Sequence, residues 1–182
     1  MKYNSTDAEK RAAFAVADLM AAAARTAPKA CGVDNIEVAI LDGEEKDRLA
    51  EEMRRIAEKT EAAFFERDAG NLDNSHCVVL IGVRNNPLGL GDCGFCGFKN
   101  CGEMKKSGTN CTFNVTDLGI AVGSAVSIAA DNRIDNRVMY TAGKAAVSLK
   151  LLGDPVQVCY GIALATSAKN IFFDRAPGCV LV

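Results

Sequence analysis

Residues 77–84 read CVVLIGVR, an almost wholly apolar run ending in one arginine. A strand with no polar alternation has no face to give to water, so it must be central in a sheet and covered on both sides. The chain then has to supply helices for two layers. It offers an Ala-rich segment over 8–27, capped by Ser5, Thr6 or Asp7 and ended by Pro28 and Gly32. It offers an amphipathic helix over 44–68, with Leu49, Met53, Ile56, Ala63 and Phe64 on one face and Gly70 and Asn71 as its stop. Small-residue helices follow over 117–130 and 139–151. Residues 36–41 and 156–165 are β-rich and join 77–84 as strands. Helices interleaved with strands predict an α+β fold or an α/β sandwich. At 182 residues and 49% hydrophobic the chain can fill one core, and with aromatics at 6% that core is aliphatic.

The chemistry is concentrated in cysteine. Of eight cysteines, Cys77 and Cys159 lie within apolar runs and read as buried small hydrophobes, and Cys31 reads as a packed turn residue. Four others fall close together, at Cys93, Cys96, Cys101 and Cys111, spaced C-x2-C-x4-C-x9-C in a Gly-rich tract over 88–112. Gly94, Gly97 and Gly102 follow three of them, and glycine permits φ > 0 and close backbone approach to sulfur. Four thiolates on one loop and a short helix suit tetrahedral zinc or an iron–sulfur cluster. Phe95 and Phe98 would shield a cluster, and Lys99, Lys105 and Lys106 would offset its charge or form a solvated face.

Other chemistries are disfavoured. Lys plus Arg is 21 against 23 Asp plus Glu, which gives no support to a nucleic-acid partner. No membrane-length apolar run and no export signal stand out, so no membrane is expected and the cytoplasm is the expected location. One histidine, His76, excludes a multi-histidine site within one chain and reads as a turn or surface residue. There is no P-loop, no G-x-G-x-x-G and no nucleophile elbow. Gly119 and Gly123 read as helix-packing positions.

The start Cys93-Gly94-Phe95-Cys96-Gly97, with Cys101 and the more distant Cys111, resembles the four-cysteine [4Fe–4S] module of electron-transport and corrinoid iron–sulfur proteins. The rest resembles the uncharacterised ferredoxin-domain-containing proteins of bacteria and archaea. It also looks like a shortened FMN-dependent nitroreductase, through ARTAPKACG at 24–32, the helix at 117–130 and GIALATSAKNIFFD at 161–174. The resemblance implies a single nitroreductase-like domain over 1–182, a sandwich with 88–112 as an inserted iron–sulfur module. It implies a homodimer with FMN at the interface, with Arg25, Lys29, Lys169 and Arg175 in the regions of phosphate contact. The function it implies is electron transfer to or from a flavin or a redox protein partner. The alternative is a non-enzymatic structural or interaction protein stabilised by zinc or a cluster.

Overall fold

The computed structural model describes residues 2–173. Its elements are α1 (Ser5–Thr26), β1 (Ile36–Leu41), α2 (Gly43–Thr60), α3 (Ala63–Asp73), β2 (Cys77–Arg84), α4 (Cys101–Ser107), α5 (Thr112–Asp131), β3 (Asp135–Met139), α6 (Tyr140–Ser148) and β4 (Val156–Ala165). The strands form one antiparallel sheet in the order β1-β2-β4-β3. The expected α+β sandwich is present, with β2 inside it.

Alternation along β2 builds both cores at once. Cys77, Val79, Ile81 and Val83 point to the layer of α1 and α5. Val78 and Leu80 point to the layer of α2, α3 and α6. Seven of its eight residues are buried, as the apolar run required. The α6 backbone lies directly on β4: a Cβ added at Gly143 would stand 1.8 Å from the carbonyl oxygen of Cys159.

The helix expected over 44–68 is two helices. Glu61 adopts a left-handed conformation with φ 56°, and the chain reverses into α3. The reversal has a topological cause. Two helices return the chain to the end of the sheet it left, so Leu41 at the end of β1 pairs with Val78 at the start of β2. One continuous helix would have delivered it to the far end and demanded a parallel β2. The break also rephases the buried face, so Phe65 rather than Phe64 is in the core, and Gly70 and Asn71 lie inside α3.

Strand β3 carries no sequence signal because it is an edge strand of largely polar residues, DNRVM, with Val138 exposed. Asn4, one residue ahead of the expected candidates, caps α1 by accepting the Asp7 N–H at 2.8 Å. Helix α5 begins five residues earlier than expected, at Thr112. It is long and apolar enough to cross a membrane by length and composition alone. Here Leu118, Ala121, Ala125 and Ala129 bury one face against α1 and the sheet, while Val115 and Ile120 remain exposed on the other.

Candidate metal centre

The Cys-rich segment hangs from the end of the sheet where β1 begins, β2 ends and β4 begins. Its two ends are stapled together. Just past β2, the Asn85 side chain accepts the Cys111 N–H at 3.1 Å and donates to the Thr109 carbonyl at 3.0 Å. The Asn86 N–H donates to Asn114 Oδ1 at 2.9 Å, in the first turn of α5. The intervening chain is thus a closed loop projecting from a rigid base.

Within that loop the cysteines are placed by local chemistry. Gly94 and Gly97 adopt φ of 63° and 83°, and the Gly97 N–H closes a turn on the Gly94 carbonyl at 2.9 Å. The glycines after Cys93 and Cys96 therefore adopt the positive φ that their position predicted. Gly102 does not, because it lies in the first turn of α4. Asn100 caps that helix by accepting the Glu103 N–H at 3.0 Å, and Met104 anchors it in the interior. Cys111 is the N-cap of α5 and is 7% exposed, where the positive end of the helix favours negative charge.

All four cysteines line one small cavity of about 20 Å³. Phe98, Met104 and Phe113 give it apolar walls and Lys99 reaches its rim. Phe95 stacks on Phe113 at 5.4 Å and is 71% exposed at the surface beside it. Lys105 and Lys106 are exposed in the last turn of α4, where cations complement the helix dipole. Among the described residues, no three His, Cys, Asp or Glu side chains converge on a single-ion position.

Of the residues expected to meet a flavin phosphate, Arg25 and Lys29 lie near one another and Lys169 lies apart from them. Arg25 pairs with Asp34 and donates to the Ile36 carbonyl at 2.7 Å. Lys29 Nζ donates to the carbonyls of Ala24, Arg25 and Ala27 at 2.8, 2.5 and 2.7 Å. Burial pushes the Lys29 ammonium below its ordinary pKa, with Asp34 opposing, Arg25 adding to the shift and Asp117 opposing. Both residues lie at the C-terminus of α1, which Lys29 closes, at the same end of the sheet as the cysteine cavity. Lys169 is exposed beyond the far end of β4, a strand of ten residues or roughly 30 Å. Arg175 and Cys179 lie outside the described residues.

Three other expectations resolve clearly. Cys77 and Cys159 are buried, as their apolar surroundings required. Cys31 is exposed and left-handed at φ 55°, not packed, because the Ala30 N–H is held by Asp117 and turns the next residue outward. His76 is half-buried and its Nε2 lies 2.7 Å from Thr166 Oγ1, tying the start of β2 to the end of β4. Asn85 and Asn86 are what sequence reasoning missed. In the sequence they serve only to end a strand, although two amides placed between a central strand and a cysteine tract were the available signal.

Residues 107–175 match the family described as an uncharacterized protein containing a ferredoxin domain, a span that takes in Cys111 but not the other three cavity cysteines. The fold is similar to an FMN-dependent nitroreductase from Clostridium difficile R20291, with a TM-score of 0.56 and 16% identity over 85% of this chain and 76% of that one. It is similar also to a nitroreductase with bound FMN from Desulfitobacterium hafniense DCB-2, with a TM-score of 0.59 and 15% identity over 85% and 78%. At that identity the likeness is one of fold, and the sandwich is nitroreductase-like. In sequence, an uncharacterized protein of Archaeoglobus fulgidus is 39% identical, covering 97% of this chain and 99% of its own. Identity at that level across nearly the whole of both chains means that this chain belongs to the same family as the archaeal protein.

Proposed function

We propose that this protein is an iron–sulfur redox protein in which Cys93, Cys96, Cys101 and Cys111 hold a [4Fe–4S] cluster. The observation that carries the reading is the single apolar-walled cavity shared by all four thiols. A bound cluster supplies one-electron chemistry. The chain supplies four thiols, exclusion of water by Phe98, Met104 and Phe113, and the helix N-terminus at Cys111. A single zinc with Zn–S near 2.3 Å would draw four sulfurs to within about 3.8 Å of one another in a tetrahedron. Here the four thiols share one lining without meeting at a single-ion position among the described residues, which favours a polynuclear centre. The ferredoxin description attached to residues 107–175 points the same way.

The electron partner we propose is FMN or a redox protein. The nitroreductase-like fold supports FMN. Because Arg25 and Lys29 lie at one end of the sheet and Lys169 at the other, a phosphate site drawing on both ends needs two copies of the chain. The open face of α5, with exposed Val115 and Ile120 and free space beside Gly119 and Gly123, gives a second copy an apolar surface to cover.

The test is a visible spectrum of protein purified without oxygen, before and after dithionite, with iron, sulfide and zinc measured on the same sample and the particle mass from light scattering. Broad absorbance that bleaches, near-stoichiometric iron and sulfide, and a two-chain mass are expected. Resolved flavin bands would identify the partner as FMN. A colourless protein retaining zinc would overturn the redox reading and leave a metal-stabilised structural protein.

A further inference from the structure

We infer that Asn85 is the positioning residue for Cys111, fixing the fourth thiol to the sheet before any metal arrives. The inference rests on the iron–sulfur reading above and adds to it the way the ligand set is preorganised.

Cys93, Cys96 and Cys101 are held by bonds local to the loop, namely the Gly94–Gly97 turn and the Asn100 cap. Cys111 is held differently. Its N–H donates to Asn85 Oδ1 at 3.1 Å, and two residues earlier the Thr109 carbonyl accepts from Asn85 Nδ2 at 3.0 Å. A backbone donor and a backbone acceptor on the same strip of chain require an acceptor and a donor in one plane, which a carboxamide provides. They also fix which end of the amide is oxygen.

Asn85 is itself held by the sheet. Its own N–H donates to the Pro155 carbonyl at 3.2 Å, and its Nδ2 donates also to Gln157 Oε1 at 3.1 Å. Gln157 is the extra residue of a bulge: Val83 pairs with Val158, and Arg84 with Val156. A bulge at the end of a strand re-aims a side chain, and here it gives the amide a third partner. The chain of support runs from the buried β2–β4 pair through Gln157 and Asn85 to the Cys111 backbone. One thiol is set by the end of the sheet and three by a loop that closes on it. Rigid support of this kind is what a multidentate site needs for tight retention.

The experiment compares wild type, Asn85→Ala, Asn85→Asp and Gln157→Ala, with Cys111→Ser as a benchmark. In apoprotein, the alkylation of Cys111 by iodoacetamide is followed by mass spectrometry relative to Cys96. Loss of the Asn85 bonds should speed Cys111 roughly tenfold while Cys96 stays constant. Asn85→Asp keeps the acceptor for the Cys111 N–H and should fall between wild type and Asn85→Ala. After anaerobic loading with ferrous iron and sulfide, Asn85→Ala should lose its visible absorbance to a chelator roughly tenfold faster than wild type. Unchanged rates at Cys111 and unchanged chelation would overturn the inference, even if Cys111→Ser abolishes the cluster. Should wild type take up no iron and sulfide, the iron–sulfur reading fails, and the apoprotein alkylation alone decides the role of Asn85. Should Asn85→Ala not fold, Gln157→Ala carries the same expectation in smaller measure, and wild-type rates in it overturn the inference.

Discussion

Raising the pH above 9 should destabilise this protein through two thiols that take no part in the cysteine cavity. Cys77 is fully buried on one face of the sheet and Cys159 is 5% exposed on the other. Burial pushes each thiol from an ordinary value near 9 up to about 12. The unfolded chain releases these protons near pH 9, while the folded chain holds them until about 12. The native state therefore binds more protons in that window, and stability falls as pH rises through it. Well above pH 9 each further unit costs about 1.4 kcal/mol per thiol, and through the unfolded titration the slope builds up to that limit. From pH 8 to pH 10 the two together should remove about 3 kcal/mol, a large share of a domain's total stability. Urea melts at pH 8, 9 and 10 under reducing conditions measure the slope in wild type, Cys77→Ala, Cys159→Ala and the double variant. Each substitution imposes a packing cost that is the same at every pH, so the change in slope isolates the thiol. Lysines and tyrosines titrate alike in all four proteins. Each single variant should lose about half of the thiol contribution. A double variant with the wild-type slope would refute the assignment. The same shift keeps both thiols protonated at neutral pH, so metal loading and alkylation of the folded protein should bypass them.

Gly143→Ala places a methyl 1.8 Å from the Cys159 carbonyl, a contact only backbone displacement can relieve; a loss of about 3 kcal/mol or more is expected, read as a lower urea midpoint. Asp68 is buried and accepts from Arg67 Nε at 2.8 Å and Thr141 Oγ1 at 2.8 Å, with Arg137 3.8 Å away. Asp68→Ala should cost about 2–3 kcal/mol by stranding these partners, discounted because Arg67 is partly solvated. Thr141→Val, which removes one neutral bond, should cost about 1 kcal/mol; equal losses in the two variants would refute the charge argument.

Much of the architecture was legible because it follows from local composition. An apolar strand forces two covering layers whatever the connections are, and CVVLIGVR announced both. The glycines after Cys93 and Cys96 announced their turns by position alone. The break at Glu61 was not legible: residues 44–68 keep helical periodicity straight through it, and only the need to return the chain to an antiparallel β2 breaks the helix. Strand β3 was silent because an edge strand owes its existence to its neighbour β4 rather than to its own side chains.

The functional residues divide along the same line. The spacing of Cys93, Cys96, Cys101 and Cys111 marked them as a candidate ligand set, since thiol chemistry is carried by residue type and sequence separation. That Cys111 stands at the N-cap position of a 20-residue helix and hangs from Asn85 is a long-range fact, made by closing a loop of 26 positions between them. Arg25, Lys29 and Lys169 read as similar basic residues in the sequence. The tertiary structure separated them, sending two to the C-terminus of α1 and one to the opposite end of the sheet. Sequence carried what side-chain chemistry and periodicity encode. Direction, pairing and proximity were decided where distant segments meet, because hydrogen bonds and packing act through space.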